Sequence, residues 1–337
     1  MQAIEMKTIP KPDPVKHARS KLEAAAAYEI DSQLAPQINP SDTLFVGGFR
    51  RSGTTWLQES LTQLLGAKSV FEPLQFIVPE MQAIYAHAHL ENKKDKFLRF
   101  YMPYCAGTVE NHPLGDFFDR ALRSALPGRW IRCRRRDRSE SFRTRVVLKC
   151  IYSQLCLRAL HNTFQMPVIH LYRDPRAVVA SIKMGRKLRF FQRLDLQEQL
   201  LQVTDGRTEF FKQWRHEIKQ YNKQGSLVRI AAYWAFSEKF VQHSFAAGRT
   251  RMVFVRYEEL CRRRHELLQE ILQELKVAPD VEAELQMAED DSATTSERRR
   301  GVTMEERLLG WRKILSSSET EAITSIAQDF GFADRLL

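Results

Sequence analysis

Two short strings in this chain bring glycine, hydroxyl and guanidinium groups together at spacings suited to holding anions. The first is Gly48-Phe49-Arg50-Arg51-Ser52-Gly53-Thr54-Thr55. It has the Gly-x-x-x-x-Gly outline of a phosphate loop, in which glycines admit close backbone approach and the N–H groups opening the next helix point at the anion. Thr54 stands where a triphosphate-binding loop carries lysine, so the turn suits a phosphate but lacks the usual grip on a triphosphate. Its nearest cation is Arg51. A polar-capped strand-to-helix turn with no ligand has the same outline.

The second string runs from Val168 to Ser181: an apolar stretch, then Arg173-Asp174-Pro175-Arg176, with Ser181 eight residues after Arg173. An arginine at the end of a strand can fork onto a phosphate, and Ser181, two helical turns along, can donate a hydroxyl to the same group. Asp174 and Pro175 also read simply as a helix start. Two anion sites on one sheet suit a nucleotide phosphorylated at both its 5′ and 3′ ends.

The elements that must position these strings follow from the hydrophobic pattern. Thr43–Val46, Val146–Lys149, Pro167–Tyr172 and Arg251–Arg256 are short apolar runs with the character of buried strands. Helical patterns follow: one with Trp56, Leu57, Leu61, Leu64 and Leu65 on one side, one over 153–162, one opened by Asp174-Pro175, and a long one over Glu258–Leu275. Strands alternating with helices predict an α/β fold, a central parallel sheet flanked by helices on both faces. Residues 1–40 are polar, with prolines bracketing a helical patch at Arg19–Tyr28, and read as an N-terminal leader packed on the domain. Residues 41–337 read as one domain, with insertions near 76–144 and 184–225 that build the acceptor side.

The 337 residues carry a net charge of +11, which attracts anions of many kinds without choosing among them. Five cysteines with no Cys-x-x-Cys pair point to reduced, cytoplasmic usage rather than a disulfide scaffold or a zinc site. No metal-ligand cluster is apparent, and no metal is expected. The N-terminus shows no signal-peptide apolar region, and no stretch of about 18 apolar residues suggests a membrane span. A nucleic-acid-binding role, which the charge alone would allow, has no supporting motif.

Arg51-Ser52-Gly53-Thr54-Thr55-Trp56 resembles the 5′-phosphosulfate loop of sulfotransferases dependent on 3′-phosphoadenosine 5′-phosphosulfate (PAPS). The Arg173…Ser181 string resembles their 3′-phosphate motif. Val255-Arg256-Tyr257-Glu258-Glu259-Leu260 is similar to a strand end whose tyrosine lies near the adenine. Arg298-Arg299-Arg300-Gly301 resembles, loosely, the basic loop that closes over the 3′-phosphate. Leu309-Gly310-Trp311-Arg312-Lys313 is similar to the end of bacterial, carbohydrate and tyrosylprotein sulfotransferases. The resemblance implies a three-layer P-loop NTPase-like fold. It implies sulfuryl transfer from PAPS, leaving 3′-phosphoadenosine 5′-phosphate (PAP), to a hydroxyl or amine of a small-molecule, glycan or glycolipid acceptor.

It also implies roles. Ser52, Gly53, Thr54 and Thr55 hold the 5′-phosphate; Arg173 and Ser181 hold the 3′-phosphate, with Arg299, Arg300 and Gly301 closing; Trp56 and Tyr257 flank the adenine. Cytosolic members place a histidine two residues after a strand-end lysine, but here Lys149 is followed by Cys150-Ile151. Glu72, 19 residues after Gly53, takes the place of the proton acceptor used by Golgi carbohydrate and tyrosylprotein members. Lys149 and Arg51 then stabilise charge on the bridging oxygen. Six arginines against one aspartate in Arg129–Arg138 read as an exposed loop, or as a contact for a sulfated or carboxylated acceptor or an anionic membrane, and the aromatic-rich 184–225 stretch as a lid or as packing helices. The alternative from another class is a P-loop kinase-like nucleotide-binding protein.

Overall fold

Five short strands, β1 (Leu44–Gly48), β2 (Lys68–Phe71), β3 (Val146–Lys149), β4 (Val168–Tyr172) and β5 (Met252–Arg256), form one parallel sheet in the order β2-β3-β1-β4-β5. The computed structural model describes residues 14–185, 188–246, 250–280 and 303–337. Every residue of β1, β2 and β3 is buried, as expected of strands covered on both faces. Side chains alternate across the sheet. Leu44, Val46, Val147, Ile169 and Leu171 pack in one apolar cluster, while Phe45, Val146, Leu148 and Val168 pack in another on the opposite face.

The helices that matter to the site are α1 (Pro14–Leu34), α2 (Thr54–Leu64), α3 (Leu157–Phe164), α4 (Pro175–Met184), α5 (Ser226–Phe245), α6 (Tyr257–Arg262), α7 (Arg264–Glu274) and α8 (Ser317–Asp329). Leu57 and Leu61 of α2 join Leu268 and Leu272 of α7 on the first face, and Leu157 and Leu160 of α3 lie on the second. A third apolar cluster joins Val178 and Val179 of α4, Trp234 and Phe236 of α5, and Ile323 and Ile326 of α8. The result is the three-layer arrangement expected.

All four expected strands are present. A fifth, β2 (Lys68–Phe71), was not among the expected strands. The helix expected over 153–162 begins later, at Leu157. The expected single helix Glu258–Leu275 is two helices broken at Arg263, whose backbone (φ −130°, ψ 41°) leaves the helical region.

The polar leader is also more than a surface segment. Asp31 near the end of α1 is fully buried and receives Lys68 Nζ at 3.0 Å, Arg132 at 2.8 Å and Arg135 at 2.8 Å. Arg132 and Arg135 therefore serve the interior rather than an exposed basic loop; Arg138 stays exposed, paired with Glu23. The 184–225 stretch likewise places Phe191, Phe211 and Ile218 in the interior as packing helices.

The register brings the carboxyl ends of the strands into one rim: Phe71 beside Lys149, Val46 beside Lys149, Gly48 beside Leu171 and Tyr172 beside Arg256. After β3 the chain crosses to the other side of β1 to form β4. Open α/β sheets bind ligands in the crevice at such a reversal, beyond the carboxyl ends of the strands. Among the described residues no helix is long and apolar enough to cross a membrane.

Candidate anion-binding and catalytic site

The turn after β1 is held in a shape that few sequences tolerate. Gly48 (φ 142°) passes so close to β4 that a Cβ there would meet the Leu171 carbonyl oxygen at 2.3 Å. Gly53 (φ 95°) caps α2, and a Cβ on it would lie 2.5 Å from the Tyr257 ring. Both glycines are thus required by close approach as well as by positive φ. Arg51 adopts φ 69° without the freedom of glycine, a local strain of the kind that collects at functional sites. Ser52 is fully buried and its Oγ has no partner among the described residues, although buried hydroxyls almost always have one.

The second string meets the first across β1 and β4. Arg173 donates Nη1 to the Arg51 carbonyl at 3.1 Å and Nη2 to the Arg307 carbonyl at 3.4 Å, and its guanidinium lies 4.2 Å from the Tyr257 ring centre. Its Nε is buried and unpartnered among the described residues. Ser181, on α4, accepts from Arg51 Nε at 3.0 Å. The turn and the Arg173…Ser181 string, more than a hundred residues apart in sequence, therefore form one cationic, hydroxyl-bearing patch. Trp56 and Tyr257 touch each other edge-on at 6.0 Å. They form one aromatic corner rather than two separate walls. Burial pushes the Tyr257 phenol up to about 12, against the pull of Arg173.

On the other side of β1, Glu72 and Lys149 are both buried and paired, Lys149 Nζ donating to Glu72 Oε1. Glu72 Oε2 accepts the Ile151 N–H at 2.9 Å, and the Glu72 N–H donates to the Lys149 carbonyl at 2.8 Å. The Phe71 ring lies 4.7 Å from Lys149 Nζ. Glu72 holds φ 46°, a second strained non-glycine residue at an expected site position. A carboxylate fixed by a backbone N–H and a cation at the strand rim can accept a proton once the cation is drawn elsewhere.

A model of the sulfotransferase family matches residues 43–281. The chain belongs to this family. It is a sulfotransferase. No curated protein matches it. Among solved structures it is similar to the sulfotransferase domain of the Synechococcus PCC 7002 olefin synthase (19% identity over 87% of this chain and 95% of that one, TM-score 0.41). It is also similar to the sulfotransferase STF1 of Mycobacterium tuberculosis (16%, 88% and 84%, TM-score 0.42). A third is retinol dehydratase, solved with retinol and PAP (15%, 93% and 85%, TM-score 0.37).

The residues of this sulfotransferase fit a bisphosphorylated nucleotide. The space a Cβ would take at Gly48 and Gly53 is filled by the Leu171 carbonyl and the Tyr257 ring, and the orphaned Ser52 Oγ and Arg173 Nε lie on the two strings expected to hold its two phosphates. Arg299, Arg300 and Gly301 lie outside the described residues.

Several contributors were not legible beforehand. Arg176 does not reach for phosphate. It pairs with Asp174 at 2.7 Å, stacks over Trp311 at 4.2 Å and donates to the Leu337 carbonyl at 2.6 Å, bracing the start of α4. Glu258, in the stretch read for its tyrosine, accepts the Asp174 N–H at 3.0 Å. Arg50 lies among the rings of Phe100, Tyr152 and Phe191, all between 5.1 and 5.3 Å away. Its position inside the Gly48–Thr55 string was the only signal available. His170 is fully buried and held by Glu238 at 3.1 Å.

Proposed function

We propose that this enzyme sulfates a hydroxyl or amine of a small-molecule, glycan or glycolipid acceptor with Glu72 as general base. The observation that carries the reading is the buried Glu72–Lys149 pair at the ends of adjacent strands, one strand away from the Ser52–Thr55 turn. When bound, PAPS supplies an activated sulfuryl group whose leaving group is a phosphate.

Ser52, Gly53, Thr54 and Thr55 hold the 5′-phosphate through backbone N–H groups and hydroxyls at the start of α2. Arg173 and Ser181 hold the 3′-phosphate, and Arg51, already hydrogen-bonded to Ser181, spans the two ends. Trp56 and Tyr257 offer their shared corner to the adenine. Lys149 turns from Glu72 toward the bridging oxygen and, with Arg51, offsets its growing negative charge as the bond to sulfur breaks. That move uncovers Glu72 Oε1, which takes the acceptor's proton as the new bond to sulfur forms. The Ile151 N–H keeps the carboxylate aimed throughout. Charge screening and positioning thus do the work that in-line transfer requires, with little covalent involvement of the protein.

Calorimetric titration with PAP, using 5′-AMP and ATP as controls and Arg173→Ala alongside, tests the nucleotide assignment. Tight PAP binding, weak AMP binding and loss in the variant are expected. ATP binding as strongly as PAP, with Arg173→Ala indifferent, would point instead to the kinase-like alternative.

A further inference from the structure

One wall beside the proposed base combines guanidinium groups with aromatic rings, and among the described residues no carboxylate pairs with them. Phe76 lies one turn after Glu72, and the Arg99 guanidinium sits between Phe76 at 4.6 Å and Phe190 at 4.7 Å. Arg189 lies 4.9 Å from the same Phe190 ring. Arg50 rests on Tyr152, the ring whose hydroxyl feels the charges of both Arg50 and Glu72, and gives Nη2 to the Arg99 carbonyl at 3.2 Å. Arg50, Arg99 and Phe76 are half-buried. None of the three arginines forms an ion pair among the described residues, while Lys149 is already matched by Glu72. In the proposed site Arg51 and Arg173 face the nucleotide, so Arg50, Arg99 and Arg189 remain for the acceptor.

We infer that the acceptor carries an anionic group on an apolar or aromatic body, with Arg50 and Arg99 holding the anion while Glu72 meets the reacting hydroxyl. This rests on the sulfotransferase site assigned above. The physical reason is the geometry of a stacked guanidinium. A guanidinium held over aromatic rings keeps N–H donors that match a carboxylate, sulfate or phosphate. Of the donors on Arg50 only one is used among the described residues, and the Arg99 side chain makes no hydrogen bond among them. Partial burial strengthens such contacts and leaves the rings to cover the acceptor's apolar part. The same excess of positive charge repels a cationic acceptor.

The test uses three acceptors of one shape and three charges: 4-hydroxyphenylacetate, 4-hydroxyphenylacetamide and tyramine. Turnover with labelled PAPS, and binding to the full chain saturated with PAP, are measured for each, with PAP affinity measured separately. The acetate is expected to exceed the amide in kcat/KM, or in affinity for the PAP complex, by about tenfold or more, with the amine last. Arg99→Gln is expected to bring the acetate-to-amide ratio close to one while PAP affinity stays within about twofold, and Arg50→Gln to lower the same ratio. Equal or better use of the amide or amine overturns the inference, as does a ratio that survives both substitutions or failure of all three compounds to bind the PAP complex. Failure of PAP itself to bind instead sinks the nucleotide site on which the inference rests.

Discussion

Lys149 and Glu72, 77 residues apart in sequence, form a buried ion pair where β2 and β3 end side by side. Phe71 and Lys149 are register partners, so the residue after Phe71 projects beside the lysine. The left-handed backbone of Glu72 and its hydrogen bond from Ile151 N fix the direction.

The pair makes two separable predictions. Glu72→Gln removes the proton acceptor but keeps the shape, so kcat is expected to fall by about 10²–10⁴-fold with PAP affinity nearly unchanged. Lys149→Met leaves Glu72 buried without its cation and is expected to cost about 3–5 kcal/mol of stability, read by denaturant unfolding. A loss well under 1 kcal/mol would mean that the carboxylate finds another partner.

Arg173 combines a ring contact with Tyr257 and two backbone carbonyls, leaving Nε for a ligand. Arg173→Ala is expected to weaken PAP binding by about ten- to a hundredfold. Arg173→Lys is expected to recover little of it, because a point charge cannot replace a planar fork. Full recovery by lysine in calorimetry would refute the forked contact.

Gly48 and Gly53 of the turn differ in kind from Gly128. Gly128 (φ 101°) has nothing within 4 Å of a Cβ, so Gly128→Ala is expected to cost only backbone strain, about 1–2 kcal/mol. Gly53→Ala adds a clash with the Tyr257 ring, and Gly48→Ala a clash with the Leu171 carbonyl. Both are expected to lower Tm further than Gly128→Ala and to abolish PAP binding. Equal melting temperatures for the three variants would argue that the turn relaxes easily.

Acid stability follows from Glu238, fully buried between His170 and Arg335. Burial alone would raise its carboxyl, but the contacts from His170 and Arg335 outweigh burial and hold it down at about 2. A group whose folded value lies below its unfolded one contributes stability that is complete above the unfolded value and lost as pH falls toward the folded one. Here that window runs from 4.5 down to about 2. Glu238→Gln is expected to be less stable at neutral pH and to lose less stability across that window, measured by urea unfolding as a function of pH. Parallel profiles for the two proteins would remove Glu238 from the account.

Asp31 balances three cations alone among the described residues of its cluster. Asp31→Asn is expected to destabilise by about 3–5 kcal/mol, since Lys68, Arg132 and Arg135 would lose the carboxylate that all three pair with. Thermal melting checks this, and an unchanged Tm would mean that the cluster rearranges to reach solvent.

The sequence by itself determined the α/β class, four of the five strands and the two anion strings. Apolar runs of strand length and a Gly-x-x-x-x-Gly turn are local signals, readable wherever they occur. It also marked Glu72 and Lys149, but as separate residues at the ends of separate runs. Only the tertiary structure decided that they pair, because pairing depends on β2 and β3 lying side by side in register. The same holds for Arg51 meeting Ser181 across β1 and β4. The leader and the Arg129–Arg138 run read as surface from composition, since charge normally stays in water. Packing overrode that reading once Asp31 supplied a buried counter-charge for Lys68, Arg132 and Arg135. Arg176, close in sequence to Arg173 and alike in chemistry, was turned to bracing α4 by Asp174 and Trp311. Contacts with partners far along the chain are set by the fold, and local spacing carries no trace of them.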